Sequence, residues 1–472
     1  MGSCPGSTDA SGDPPGKIRR RRHGLPQNRG GFATAGAGTY NSLQKRGWGG
    51  LRLPKKAVLP NGIRVVSERV PGVRSVAVGV WVDAGSRDEA PAQSGIAHFV
   101  EHMLFKGTRR RSARDIAEAI DATGGQLNAF TTKETTCYYA RVLDEHLPLA
   151  MDILADMLFE AAFRPEDLLR ERDVILEEIR LAEDTPEDLV HDVFEKALFG
   201  AHPLSRPVLG TARTVSGCTR QDLVRFVQAH YVPAQLVIAA AGNVVHDTLV
   251  DMAARLFDVP ARDAVGRGTV ALDYRPTHAL VEKDCEQVHI CMGAPSLPRR
   301  HPQRFALHLL DTLLGGGMSS RLFQELRENR GLVYSTYSYH SGYRETGVFG
   351  VYAGTSPDKA AEVLELIRAE IGAVHRGEIT EGELDRAKEQ AKGALVMSLE
   401  NTTARMSRLG RAELDAQPYL SPRQLMRRID AVTLEEVRCL AAELLPPDRL
   451  TTVALGAIPN SLRHETLAEA VG

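Results

Sequence analysis

His98, Glu101 and His102 stand within five consecutive positions of an otherwise apolar stretch running from Ile96 to Phe105. Imidazoles and carboxylates bind metals and carry protons, so these residue types at this spacing point to metal-assisted hydrolysis. At about 100° per residue, His98 and His102 fall one helical turn apart, and Glu101 lies on the same side. Burying three such groups together is costly unless something pairs with them. A divalent metal with a bound water supplies that pairing. A lone histidine on an apolar helix face is ordinarily a satisfied core residue; three converging polar groups are not. Zinc in hydrolytic sites commonly takes two His and one carboxylate and keeps one position open. A third ligand is therefore expected from another element.

The elements that must position these groups are legible in outline. Ser94 can cap the start of the helix and Gly107 can end it. Downstream, residues 165–179 read as strongly helical, with acids in the first turn after Pro165. Glu171, Ile175, Glu178 and Ala182 share one face of that helix, and Glu177 lies about 100° round from Glu178. Geometry makes Glu171 and Glu178 the pair able to face one point, and leaves open which of them binds metal. Standing alone, this segment would be a solvated acidic face. Residues 126–140 alternate like a strand after the Gly124-Gly125 break. At a sheet edge such a strand offers unpaired N–H and C=O groups to a substrate chain; a plain core strand is the alternative.

His98-Phe-Val-Glu101-His102 followed by Glu171-Arg-Asp-Val-Ile-Leu-Glu-Glu178 resembles the inverted zinc motif of the pitrilysin/insulinase peptidases. Within that family the chain is most similar to the β subunit of mitochondrial processing peptidase and its bacterial single-subunit homologues. The likeness runs from about Leu53 to Ile458, with supporting stretches at 59–66, 102–108 and 124–131. It implies that Glu178 is the third zinc ligand and that Glu171 orients the site. It implies that Asn128, Ala129 and Phe130 line the cleft and contact substrate, partly through backbone. In 315–334 it implies that Arg327 and Tyr334 approach the scissile peptide and stabilise the oxyanion. Without the resemblance, Arg327 reads as a surface charge and Tyr334 as a strand aromatic. With one Zn2+ per chain on His98, His102 and Glu178, Glu101 is expected to take a proton from water and pass it to the leaving amine.

Composition sets broad bounds. A chain of 472 residues accommodates two domains of about 200 residues each. Its 43% hydrophobic and 25% charged residues suit a soluble globular protein, and a formal charge of −2 shows no bias toward nucleic acid. No apolar stretch approaches the ~20 residues of a membrane span. Six scattered cysteines (Cys4, Cys137, Cys218, Cys285, Cys291, Cys439) lack a Cys-x-x-Cys pair and read as reduced, mostly buried small hydrophobes. Residues 1–52 are Gly- and Pro-rich with a run of arginines at 19–22, and are expected to form a disordered extension. Their acid-poor later part has the composition of a mitochondrial transit peptide, yet Asp9 and Asp13 precede it and many Gly and Pro break any helix. A start assigned too far upstream is the other reading. The expected location is the bacterial cytoplasm, with the mitochondrial matrix as the alternative.

An internal repeat organises the rest. The plan from Thr219 to Gly242 recurs from Thr433 to Gly456, 214 positions later. Residues 75–82 correspond to 287–292, and the histidine helix corresponds to 307–316, where Leu307 and Asp311 replace the ligands and Leu310 replaces the base. Glu178 corresponds to about Ala394. A period this long means duplicated domains, not a solenoid. The expected fold is α+β, with two homologous domains, each a mixed, mostly antiparallel sheet covered by helices on one face. The boundaries are 53–262 for the zinc-binding domain and 263–472 for a metal-free domain that contributes substrate contacts.

The function expected from these residues is zinc-dependent endopeptidase cleavage of short or unfolded polypeptides, in the manner of a processing peptidase. Family members of double length join two such halves into a chamber. This chain is therefore expected to form a homodimer, or a heterodimer with a related metal-free chain, with Arg327 and Tyr334 acting on the partner's zinc. The alternatives are a non-catalytic core or assembly subunit of the same fold and a peptide-capturing scaffold.

Overall fold

A computed structural model describes residues 53–264 and 266–463. The expected N-terminal extension, with Cys4, lies outside these residues. Two sheets organise the described chain. The first contains β1 (Lys55–Val58), β2 (Arg64–Arg69), β3 (Ser75–Val82), β4 (Gln126–Thr131), β5 (Thr136–Leu143) and β6 (Leu236–Gly242), in the order β1-β2-β6-β3-β5-β4. The second contains β7 (His278–Glu282), β8 (Val288–Ser296), β9 (Val333–Gly342), β10 (Gly347–Thr355) and β11 (Thr451–Gly456), in the order β7-β11-β8-β10-β9. Pairs β2–β6 and β7–β11 are parallel, and all others are antiparallel. Set β1 aside and the two sheets follow one plan, strand for strand, as the internal repeat requires.

Period-two alternation decides what each face meets. Val76, Val78, Val80 and Val82 of β3 turn toward helices of their own half, including Ile96–Leu104 and Leu147–Glu160. Ala77 and Trp81 turn the other way. That second face is covered by a helix from far along the chain, Thr402–Leu414, through Met406, Leu409 and Leu414. The exchange is mutual: helix Pro186–Phe199 lays Val190, Phe194 and Leu198 on the second sheet against Cys291, Val348, Tyr352 and Val453. Helices of the same half cover one face, as expected. The traded helices on the opposite faces are an addition that sequence does not carry, because amphipathicity marks a buried face without saying which sheet buries it.

Close approach needs small residues. A Cβ at Gly410 would sit 2.3 Å from Trp81 Nε1, and one at Gly79 2.7 Å from Met406 Sδ. Trp81 is fully buried and its indole donates to Met406 Sδ at 3.3 Å. A charged seam also ties the halves at the two hairpin turns. Glu134, in the β4–β5 turn, pairs with Arg87 and Arg299 and accepts from the Arg344 backbone N–H at 3.2 Å. Glu345, in the β9–β10 turn, returns to Arg87 at 2.6 Å. Burying Arg87 and Glu134 is tolerable because each charge has its partner. All five described cysteines are free thiols, and Cys137, Cys218 and Cys291 are buried. No described helix is long and apolar enough to cross a membrane.

Candidate metal centre

Helix Ile96–Leu104 carries the histidines, and its entry differs from the expected one. Gly95 takes a left-handed conformation (φ +93°), and a Cβ there would meet Leu209 O at 2.5 Å. The carboxylate of Glu89 then accepts from the backbone N–H groups of Gly95 (2.9 Å) and Ala97 (2.8 Å). Ser94 does not cap the helix; its buried hydroxyl has no partner among the described residues. Burial pushes the Glu89 carboxyl up to about 8, against the Ala97 and Gly95 hydrogen bonds that lower it; with one oxygen on each N–H it satisfies two orphan donors where a hydroxyl satisfies one. Gly107, at φ +107°, turns the chain away after the helix ends at Leu104.

The apolar side of the helix (Ile96, Ala97, Phe99, Val100, Met103, Leu104) is buried, which leaves His98 and His102 facing helix Pro165–Asp184. Their rings stand 4.6 Å apart, centroid to centroid. His98 Nε2 is 3.7 Å and His102 Nε2 3.6 Å from the same oxygen, Glu178 Oε2. These separations are too long for hydrogen bonds. They match donors arranged round one tetrahedral centre, where bonds of about 2.1 Å place neighbouring donors about 3.4 Å apart. His98 Nδ1 is buried with no hydrogen-bond partner among the described residues. Burial, with His102 beside it, holds the His98 imidazole down at about 4, so it is neutral at pH 7, the form that ligates a cation. The donor set fits zinc: two imidazoles and one carboxylate, with no fourth ligand in the cluster among the described residues.

The two candidate acids of the second helix divide. Glu178 is 38% exposed and faces both Nε2 atoms, whereas Glu171 is buried and takes His102 Nδ1 at 3.2 Å. A carboxylate on the far nitrogen fixes ring orientation and tautomer. Lys106 Nζ, 2.8 Å from Glu171, balances its charge. Glu101 stands outside the three-donor cluster and accepts a hydrogen bond from the Thr131 hydroxyl. Burial pushes its carboxyl up, against the Thr131 hydrogen bond that lowers it.

Thr131 ends β4, which pairs only with β5 and forms the edge of the first sheet. The edge position follows the expected pattern. Along it, Ala129 packs toward the histidine helix's side of the sheet, while Phe130 turns to the opposite face and sets its edge against Trp81, ring centroids 5.5 Å apart. Exposed Asn128 accepts from the Ala129 N–H at 2.8 Å. All three lie on the edge strand, whose backbone groups turn outward at alternate residues. A cavity of about 650 Å³ lies alongside, lined by Phe105, Ile116, Leu127 and Tyr139 among others.

Arg327 and Tyr334 belong to the second half, at a π-helical turn and at the start of β9. The Arg327 guanidinium lies 5.6 Å from the Tyr334 ring centre, and Tyr334 is 80% exposed. No hydrogen bond or ion pair joins either to the histidine cluster among the described residues. Thr131, Lys106 and Glu89 are the residues that sequence reasoning missed. Thr131 and Lys106 lie within the supporting stretches quoted above, but nothing in their types announces what they touch.

Residues 64–212 match the family described as insulinase, peptidase family M16, and residues 217–391 match the peptidase M16 inactive domain. An uncharacterized zinc protease of Streptomyces coelicolor is 46% identical over 85% of this chain and 89% of its own length. The uncharacterized zinc protease YmxG of Bacillus subtilis is 42% identical over 84% of this chain and 96% of its own. Among solved structures, the crystal structure of a protease from Helicobacter pylori superposes with a TM-score of 0.81 at 24% identity, over 86% of this chain and all of that one. That of a peptidase M16 inactive domain from Pseudomonas fluorescens gives 0.82 at 22% identity, over 86% of this chain and 98% of its own, and establishes shared fold alone. With both family descriptions matched in sequence and relatives this similar along nearly their whole length, the chain belongs to the insulinase family of peptidases, family M16.

Proposed function

We propose that the chain is a zinc metalloendopeptidase that cleaves short or unfolded polypeptides. The observation that carries this reading is the convergence of His98 Nε2 and His102 Nε2 on one oxygen of Glu178, with Glu101 beside the cluster. Zinc held by His98, His102 and Glu178 would supply Lewis acidity, lowering the pKa of a water and polarising the scissile carbonyl. Glu101 accepts the water's proton and delivers it to the departing amine nitrogen. Its raised carboxyl pKa brings it closer to the range in which one group both takes and gives a proton near neutrality. Glu171 holds His102 in register. The edge of β4 takes the substrate as an added strand along Asn128, Ala129 and Phe130, which an unfolded segment can supply without giving up bonds of its own.

Arg327 and Tyr334 are assigned to substrate and oxyanion, acting on a partner chain's zinc within a dimeric chamber. Their exposure and their lack of a described contact with the cluster support action in trans.

Two measurements test the proposal. Purified protein incubated with a peptide mixture should produce cuts, mapped by mass spectrometry, that a chelator abolishes and zinc restores. Absence of chelator-sensitive cleavage contradicts the enzyme reading. Mixing two inactive chains, Glu101→Gln and Tyr334→Phe, should restore about a quarter of wild-type activity if the pair acts in trans, since half the dimers are mixed and each has one complete site. No restoration after confirmed subunit exchange contradicts it.

A further inference from the structure

The second half holds its own cluster of metal-binding side chains. His308 and Asp311 lie three positions apart on helix Arg304–Gly315, the counterpart of the histidine helix, and His340 reaches them from edge strand β9, the counterpart of β4. One ligand atom from each lies within 4.8 Å of the other two. Among the described residues only two groups meet that condition, and the other is His98, His102 and Glu178. The cluster is pre-ordered. Asp311 Oδ1 accepts from the Ser338 hydroxyl at 2.5 Å, and Asp311 Oδ2 meets His340 Nδ1 at 2.8 Å. The His308 and His340 rings are 5.5 Å apart, and the His308 imidazole makes no hydrogen bond to a described residue. Both rings line a cavity of about 480 Å³ whose other walls include Phe305, Leu395 and Ile429.

We propose that His308, Asp311 and His340 form a second divalent-cation site, for a zinc-type ion. Two imidazoles and one carboxylate suit a borderline metal better than Mg2+ or Ca2+, which demand oxygen ligands. His308 is exposed, so its ring can turn onto a cation, while Asp311 and His340 are already held. The site binds without hydrolysing. The position matching Glu101 is the buried Leu310, and no acid lines the cavity to take a proton from water. The remaining coordination position opens to the cavity and accepts water or a donor group from a ligand lying there.

The test is metal analysis of the full chain, stripped by chelator, equilibrated with micromolar Zn2+ and desalted. Wild type should hold two zinc ions per chain, His308→Ala/His340→Ala one, His98→Ala/His102→Ala one, and the fourfold variant none. Circular dichroism checks that each variant is folded. Co2+ in place of Zn2+ should give a visible spectrum in the His98→Ala/His102→Ala protein that disappears in the fourfold variant. One zinc ion in wild type, none in His98→Ala/His102→Ala, or two in His308→Ala/His340→Ala overturns the proposal. Should His308→Ala/His340→Ala fail to fold, the wild-type and His98→Ala/His102→Ala values decide alone. Peptide cleavage is read separately, so failure of the peptidase reading leaves this count unaffected.

Discussion

The two halves put the same backbone to unequal chemical use. In the first, helix Ile96–Leu104 supplies two imidazoles one turn apart, and helix Pro165–Asp184 supplies Glu178 opposite them. In the second, helix Arg304–Gly315 supplies one imidazole and one carboxylate, and the helix opposite, Glu381–Ser398, offers Ala391, Ala394 and Leu395 to a greasy cavity. Strand order and pairing hardly differ. On the proposed reading of both sites, this scaffold leaves metal binding and hydrolysis separable. Convergent donors suffice for the first, while the second needs a carboxylate that converges without being a donor. On that reading Glu101 is the carboxylate, and buried Leu310 stands in its place in the second half.

The largest test of that separation is Glu101→Gln. It should leave bound zinc unchanged by metal analysis and lower kcat by about 10²- to 10⁴-fold. Unchanged turnover in a zinc-loaded protein would place the proton carrier elsewhere. Next comes Glu171→Gln, which leaves all three donors but loosens His102. Zinc affinity of the first centre should fall about 10- to 100-fold in chelator competition. The second half has its own analogue of this support, Ser338 on Asp311.

Smaller effects compare the frameworks instead of the sites. Gly410→Val forces a side chain into the Trp81 ring and should cost about 1–3 kcal/mol in urea unfolding, with zinc content intact. The two opposed helices also begin differently. Pro165 opens the first with no side-chain cap, whereas Thr380 and Glu383 form a capping box on the second. Burial alone would raise the Glu383 carboxyl; hydrogen bonds from Arg321 and Thr380 outweigh it and hold it at about 2. A depressed carboxyl stabilises the fold above its unfolded pKa, near 4.5, and that share is lost as pH falls toward about 2. Glu383→Gln should remove roughly 1 kcal/mol of acid sensitivity between pH 5 and pH 3, read from urea midpoints.

Much of this was legible in the chain. The His98–His102 period placed both rings on one face, and the 214-residue repeat announced two copies of one plan. Glu171 and Glu178 could not be told apart, because seven residues bring a helix back to the same side; the docking angle of the helices gives one acid the Nε2 atoms and the other Nδ1. The repeat also aligned the second helix one position away from His308. His340 was invisible, since its nearness to Asp311 depends on how β9 lies against a helix some thirty residues earlier. Ser94 misled for a related reason: a favourable cap residue lost to Glu89, whose approach depends on the loop fold. Phe130 faces Trp81, so its value to a substrate strand would be its backbone.

Trading helices between halves has a consequence for how the protein is made. Trp81 finds Met406 across 325 positions of sequence, so one face of the first sheet stays bare until nearly the whole chain has left the ribosome. Contacts this distant fold slowly, and an apolar sheet face waiting for its cover is prone to aggregate. A chain truncated before Thr402 would leave that surface permanently without its lid.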